Sequence, residues 1–272
     1  MTTLERTTRA ERDAGRKALV PFFTAGYPSE AAFLDLVRAA ADAGCRTVEV
    51  GIPFSDPVAD GPLIQASSLA ALRGGMTLRR ALDLTARATA ATGVGAVVMS
   101  YANPVLRLGA AEFATRARDA GVVGAILPDV PHEEAAPWRG PLAAAGLPLI
   151  ELIAPTTDGA RVAAIAGEAR GFLYLVALTG VTGAVADPAA HAAALVARAR
   201  AVTDLPCYVG FGVADPDGAR RVARAADGVI VGSALVRLLQ SAADARSGVR
   251  SVADFLHGMR EALAPPAREV TS

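Results

Sequence analysis

Cysteine is nearly absent: only Cys45 and Cys207 occur in 272 residues, far apart and each beside an apolar run. That excludes a disulfide framework and reads as two small buried hydrophobes. Three scattered histidines give no metal-ligand spacing, so no structural metal is expected. Neither sign of charge is in excess, since 27 Lys and Arg balance 27 Asp and Glu, and no basic face for nucleic acid follows. Long apolar runs are missing too, and none approaches the roughly 18 residues that a membrane span requires. The segment from Met1 to Lys17 is polar with mixed charge, unlike a signal peptide or an anchor, and the expected location is the cytoplasm. Aromatic residues are scarce, and Trp138 has no aromatic neighbour in sequence with which to form a binding platform.

What is present is an apolar, Ala- and Gly-rich chain with regular punctuation, as expected of a globular enzyme. Residues 1–16 hold a short polar helix. Strand-like runs follow at 18–24, 47–51, 96–101, 124–127, 149–154, 171–177, 207–210 and 228–231. Several are nearly continuous apolar runs, the pattern of strands covered on both faces. Helical patterns separate them, at 30–43, 63–73 and 78–92, 110–120 and onward, with the last ending near Ala264. The glycine pair at 74–75 implies an extra helix after strand two, and another extra helix follows strand eight. Eight strands alternating with helices in one chain predict an α/β fold, a (β/α)8 barrel of parallel strands, with a doubly wound open sheet as the alternative. No linker or charge block divides the chain, so residues 1–272 read as one barrel domain with a frayed tail at 265–272.

The most informative stretch runs from Thr47 to Gln65. Glu49 sits amid apolar strand residues, where an ionised carboxylate is costly. Beyond Gly51 and Pro53, a proline-stiffened loop carries Ser55, Asp56 and Asp60 before Pro62 opens a helix. Loops at the carboxyl ends of barrel strands carry the chemistry. Taken singly, Glu49 is equally a structural acid tied to an Arg or a backbone N–H, and Asp56 and Asp60 are turn or cap residues. A second signal comes from glycines: Gly180 to Gly183 after strand six, Gly210 to Gly212 after strand seven, and Gly232-Ser233 after strand eight. Each alone suits a tight turn. Three in consecutive loops on one rim read instead as a phosphate cradle of backbone N–H groups and a helix N-terminus. His132 reads as a surface or cap residue, Tyr174 as barrel packing, and Tyr101 to Pro104 as chiefly architectural.

With these residues assembled, the chain resembles the tryptophan synthase alpha subunit family over nearly its full length. The resemblance is carried by Pro-Phe-Phe-Thr-Ala-Gly-Tyr-Pro at 21–28, the stretch from Glu49 to Gln65, Tyr-Ala-Asn-Pro at 101–104, Gly-Val-Thr-Gly at 180–183, Gly-Phe-Gly at 210–212 and Gly-Ser-Ala at 232–234. It implies a lyase that splits indole-3-glycerol phosphate into indole and glyceraldehyde 3-phosphate. It also implies an α2β2 partnership with a beta subunit that holds the pyridoxal phosphate, with no cofactor in this chain. On this reading Glu49 and Asp60 are catalytic. Phe22, Ile64, Tyr101, Leu127, Tyr174, Thr182 and Phe211 bind substrate. Gly183, Gly212, Gly232 and Ser233 hold its phosphate, and Pro53 and Asp56 belong to the partner loop. Desolvation suits Glu49 to proton transfer, while Asp60, in a more polar loop, is expected to stay ionised and accept the ring N–H.

The sequence departs from that family around the loop after strand six. Ala177 replaces a usual serine, Leu178 an often polar residue, and Val185 a frequent arginine. These changes spare the acid pair and bear on loop closure. Two further functions stay open: a stand-alone lyase releasing free indole, and a weakly catalytic barrel acting as a binding or activating partner.

Overall fold

The computed structural model describes residues 1–176, 188–210 and 212–264. Eight parallel strands, β1 (Ala18–Thr24), β2 (Thr47–Gly51), β3 (Gly95–Met99), β4 (Val122–Ile126), β5 (Leu152–Ile153), β6 (Leu173–Val176), β7 (Cys207–Gly210) and β8 (Gly228–Val231), lie in the order β4-β3-β2-β1-β8-β7-β6-β5. A parallel bridge between Ala125 and Leu149 joins the two ends of the sheet. There the Ala125 N–H donates to Pro148 O at 3.0 Å and the Ile150 N–H to Ala125 O at 2.8 Å. The sheet is therefore closed, as the alternation of strands and helices predicts.

Period-two alternation builds two apolar layers from one set of strands. In β1, Leu19 and Phe23 pack outward against the helices, while Val20 faces inward with Val97, Ile126, Ile150, Phe172, Tyr174, Tyr208 and Ile230. Helix α1 (Thr3–Asp13) starts at a Thr2–Glu5 capping box and puts Leu4 into that inner cluster, and Thr8 Oγ1 donates to Gly171 O at 2.9 Å. The barrel is thus plugged at the end opposite the loops of interest.

The remaining helices are α2 (Glu30–Asp42), α3 (Pro62–Arg73), α4 (Leu78–Thr92), α5 (Ala102–Leu108), α6 (Ala110–Asp119), α7 (Ala136–Ala144), α8 (Gly159–Glu168), α9 (Pro188–Arg200), α10 (Pro216–Ala223), α11 (Ser233–Ser241) and α12 (Ala245–Ala262). The pairs α3/α4 and α11/α12 are the extra helices expected after strands two and eight. A third extra helix, α5, follows β3 where the sequence reads as an Asn103-Pro104 turn. Pro104 falls in its first turn, where the missing N–H has no intrahelical partner to lose. Strand five is also shorter than expected. Leu152 and Ile153 pair with β6, but Leu149 bridges to β4, so at the closure the chain divides its ladder between two neighbours.

Candidate active site

Glu49 occupies the centre of β2, level with Phe22 of β1 and Val97 of β3. Its neighbours Val48 and Val50 face the helix layer, so the pleat turns Glu49 into the barrel. It is 1% exposed, and its Oε1 has no hydrogen-bond partner among the described residues. The structural reading, a carboxylate tied to an Arg or a backbone N–H, does not account for that oxygen. Burial pushes its pKa up to about 8, so at neutral pH the folded chain holds Glu49 mainly as the acid.

Asp60 reaches the same end of the barrel from the loop between β2 and α3. Pro62 stands at the first turn of α3, with Gly61 as its cap, which fixes where the loop ends. The loop is less polar around Asp60 than the sequence suggests. Burial pushes its pKa up to about 6, against a hydrogen bond from Tyr101 that pulls it down, so it is still mostly ionised at neutral pH. Tyr174, inside the barrel on β6, has its phenol pKa raised first by burial and then by the charges of Glu49 and Asp60, so both acids lie near it. A side chain on Gly210 would run into that hydroxyl, 2.3 Å from the Cβ position.

The predicted slot residues divide. Phe22 and Ile64 meet in a small apolar cluster with Val236, flanked by Met99, Tyr27 and Leu63. The Phe22 ring lies where a Cβ on Gly51 would be, 2.4 Å away, so that glycine is the room the ring needs. Leu127 is not in this cluster. It packs in the layer between strands and helices and borders a cavity of about 440 Å³ on the same rim, lined also by Pro128, Leu152 and Val176. Tyr101 is buried, and its hydroxyl is committed to the β2–α3 loop: it accepts the N–H of Ala59 at 3.0 Å and lies near the Asp60 carboxylate. That is a larger role than the architectural one read from sequence, and the signal was the only polar tip in an otherwise apolar stretch from Gly95 to Ala102 apart from Ser100.

On the opposite side of the mouth, Gly212 is exposed with φ +83°, a conformation that favours glycine, and Gly232 caps α11 beside Phe22. The first N–H groups of α11 bonded back to Gly232 O are those of Leu235 and Val236. The N–H groups of Ser233 and Ala234 precede them at the positive end of the helix dipole, and Ser233 is exposed, a geometry that suits an anion. Ala177, Leu178, Gly180, Val181, Thr182, Gly183, Val185 and Phe211 lie outside the described residues. In the partner loop Asp56 is exposed and accepts from Ser55 Oγ at 2.5 Å, whereas Pro53 is buried and has no surface to offer. Exposure there belongs to Ser55, Asp56, Ala59 and Val58, the last 81% exposed.

His132 is a correction. It is not a surface or cap residue but packs half-buried, with Nδ1 3.3 Å from Glu151 Oε1, while Arg139 joins Glu151 at 2.6 Å and Glu168 at 2.6 Å. Its partners Arg139 and Glu151 are 7 and 19 residues away and left no local signal. Cys45 and Cys207 are buried free thiols pushed up to about 12 by burial, hence unreactive. Among the described residues no group of His, Cys, Asp and Glu could hold a metal ion, and no helix is long and apolar enough to cross a membrane.

A closed α/β barrel with two perturbed acids and an anion-suited helix end on its carboxyl-terminal rim has the architecture of a barrel enzyme. Comparison with known proteins narrows the class. The family model of the tryptophan synthase alpha chain matches residues 9–264. The chain is 47% identical to the tryptophan synthase alpha chain of Alkalilimnicola ehrlichii, with 100% of both chains covered, and 46% identical to that of Geobacter sulfurreducens, over 91% of this chain and 94% of the other. Among solved structures, tryptophan synthase subunit alpha of Legionella pneumophila superposes with a TM-score of 0.88 at 33% identity, covering 97% of this chain and 98% of that one. A chain of Mycobacterium tuberculosis tryptophan synthase gives 0.88 at 38% identity, over 96% and 98%. The protein belongs to the tryptophan synthase alpha chain family.

Proposed function

We propose that this chain cleaves indole-3-glycerol phosphate to indole and glyceraldehyde 3-phosphate, acting as a carbon–carbon lyase of tryptophan biosynthesis. The observation that carries the proposal is Glu49, a buried carboxyl with an unpartnered oxygen that keeps its proton at neutral pH. A protonated Glu49 gives its proton to C3 of the indole ring, leaving the ring nitrogen positive. The resulting carboxylate then takes the proton of the adjacent side-chain hydroxyl. The C3–C bond breaks, its electrons return to the ring, the hydroxyl carbon becomes the aldehyde, and Glu49 ends as it began. Asp60, with its lower pKa, accepts the ring N–H and stabilises the charge that builds there. Two carboxyls in unlike surroundings divide two tasks. Phe22 and Ile64 flank the ring, and Gly212, Gly232 and Ser233, with Gly183, hold the phosphate. Tyr174, Thr182, Leu127 and Phe211 complete the substrate's surroundings. No cofactor is needed in this chain. The product indole passes to a beta subunit in an α2β2 assembly in the cytoplasm, with Asp56 and its exposed loop facing the partner.

The test is turnover of indole-3-glycerol phosphate by the purified chain, alone and with a beta subunit. Indole and glyceraldehyde 3-phosphate formed in equal amounts, at a rate that rises about tenfold or more with the partner, is the expected result. Full turnover with no response to a partner points to the stand-alone lyase, and no cleavage in either case overturns the reading.

A further inference from the structure

Three successive loops on the active-site rim are tied to one another by two side chains. Tyr101 stands between β3 and α5, and its phenol oxygen accepts the N–H of Ala59 in the loop after β2 at 3.0 Å. Asp60 is the next residue, and the same hydroxyl lies close enough to its carboxylate to lower its pKa, the effect of a donated hydrogen bond. An ionised carboxylate only accepts, so the phenol is the donor, and a hydroxyl that accepts on one side while donating on the other strengthens both bonds. The Tyr101 ring also lies 5.3 Å from that of Phe54, near the start of the same loop. One phenol therefore grips that loop at Phe54, Ala59 and Asp60.

What holds Tyr101 comes from a third loop. Helix α5 has no side-chain cap from its own N-cap residue. Its first N–H, that of Ala102, is accepted instead by both carboxylate oxygens of Asp129, at 3.0 and 3.1 Å, from the loop after β4. The contact spans 27 residues of sequence and fixes the residue immediately after Tyr101.

We propose that Tyr101 and Asp129 are positioning residues for the cleavage reaction: Asp129 pins the start of α5, and Tyr101 reaches from there to aim the Asp60 carboxylate at the substrate's ring nitrogen. The proposal rests on the function given above and extends it to two residues that act through Asp60. A loop carboxylate held in advance by a neighbour need not be ordered during the reaction, which is how positioning lowers a barrier. Protonation is affected as well. The charged groups that face the Tyr101 hydroxyl are Asp60 and Asp129, and across the mouth Tyr174 faces Asp60 and Glu49. Against burial, the Tyr101 hydrogen bond lowers the Asp60 pKa, so its loss moves Asp60 toward the neutral form just below neutral pH.

The experiment uses the full chain as wild type, Tyr101→Phe, Asp129→Ala, Asp129→Asn and the Tyr101→Phe/Asp129→Ala pair. Each is assayed with indole-3-glycerol phosphate across pH and titrated by carbon-13 NMR of labelled aspartate. Tyr101→Phe is expected to lower kcat about tenfold with KM within about twofold. It should also shift both the acidic limb of the rate profile and the Asp60 titration upward by at least about half a pH unit. Asp129→Ala should cost roughly threefold, Asp129→Asn, which keeps an acceptor oxygen, should restore most of it, and the pair should be no worse than Tyr101→Phe alone. An Asp60 titration and acidic limb that stay in place in Tyr101→Phe overturn the proposal, including where kcat falls in step with the folded fraction. If the wild type itself does not cleave the substrate, the proposed function fails, and the NMR titration alone decides whether Tyr101 holds Asp60.

Discussion

At the amino-terminal end of the barrel Asp227 is 7% exposed, and its oxygens accept from Arg200 at 2.8 Å and from the Cys207 N–H at 2.9 Å. Nearby, Glu11 is buried and paired with Arg16 at 2.9 Å. At the carboxyl-terminal end Glu49 is buried as deeply, yet one oxygen has no partner and its proton is retained to about pH 8. The same kind of side chain, equally buried, serves the fold at one end and opposes it at the other. An unpaired buried acid is costly, and a fold keeps such a group where it is used. The plugged end with α1 is where stability resides, and the rim is where that stability is drawn upon.

The sharpest way to break this comparison is to neutralise one acid at each end. Glu49→Gln is expected to leave the fold intact and lower turnover by at least about 100-fold, the low end for a positioned acid and base. Asp227→Ala is expected to leave turnover within about twofold while reducing stability by about 2 kcal/mol, because the Cys207 N–H loses its buried acceptor. Steady-state kinetics and denaturant melts on both variants check the pair; a reversed pattern would show that the two ends have been misassigned. A purely apolar version at the plugged end is Leu4→Ala, expected to cost about 2–4 kcal/mol with normal turnover.

A smaller effect separates the two rim acids. Asp60→Asn should lower kcat by about 30-fold, more than Tyr101→Phe, and change KM less, since its charge matters most when the ring nitrogen is positive. An effect confined to KM would make Asp60 a binding residue only. Smaller still, Gly212→Val should weaken binding of glycerol phosphate several-fold by calorimetry, because a branched side chain strains the φ +83° backbone of the cradle. Unchanged affinity would reduce that glycine to a turn.

Much of this contrast can be read in the residues themselves. β1, β7 and β8 match their expected bounds because each is a short apolar run with a glycine at its end or within two residues beyond it. Glu49 and Asp60 stand out as acids in or beside an apolar strand. What escapes a linear reading is pairing at a distance. His132 reads as exposed until Glu151 and Arg139 are brought beside it, and Tyr101 as architecture until its hydroxyl is found on Ala59 and Asp60, some 42 residues back. Helix α5 was hidden by Pro104, which reads as a turn residue although a first helical turn accepts it without loss. The desolvation of Asp60 was likewise invisible, since its loop is polar in sequence but half-buried in the fold.

Glu49 carries its proton in the folded chain at neutral pH. Because the group binds its proton more tightly folded (about 8) than at its ordinary value of 4.5, its contribution to stability is full below pH 4.5 and is lost as pH rises through 8. The loss amounts to at most about 1.4 kcal/mol per pH unit across that window. A carbon-13 NMR titration of labelled glutamate in the substrate-free chain, with Glu49→Gln to assign the resonance, reads this directly. A midpoint near 8 is expected for the resonance missing from the variant. A midpoint near 4.5 would mean that Glu49 is ionised at neutral pH, and that the first proton delivered to the indole ring comes from elsewhere.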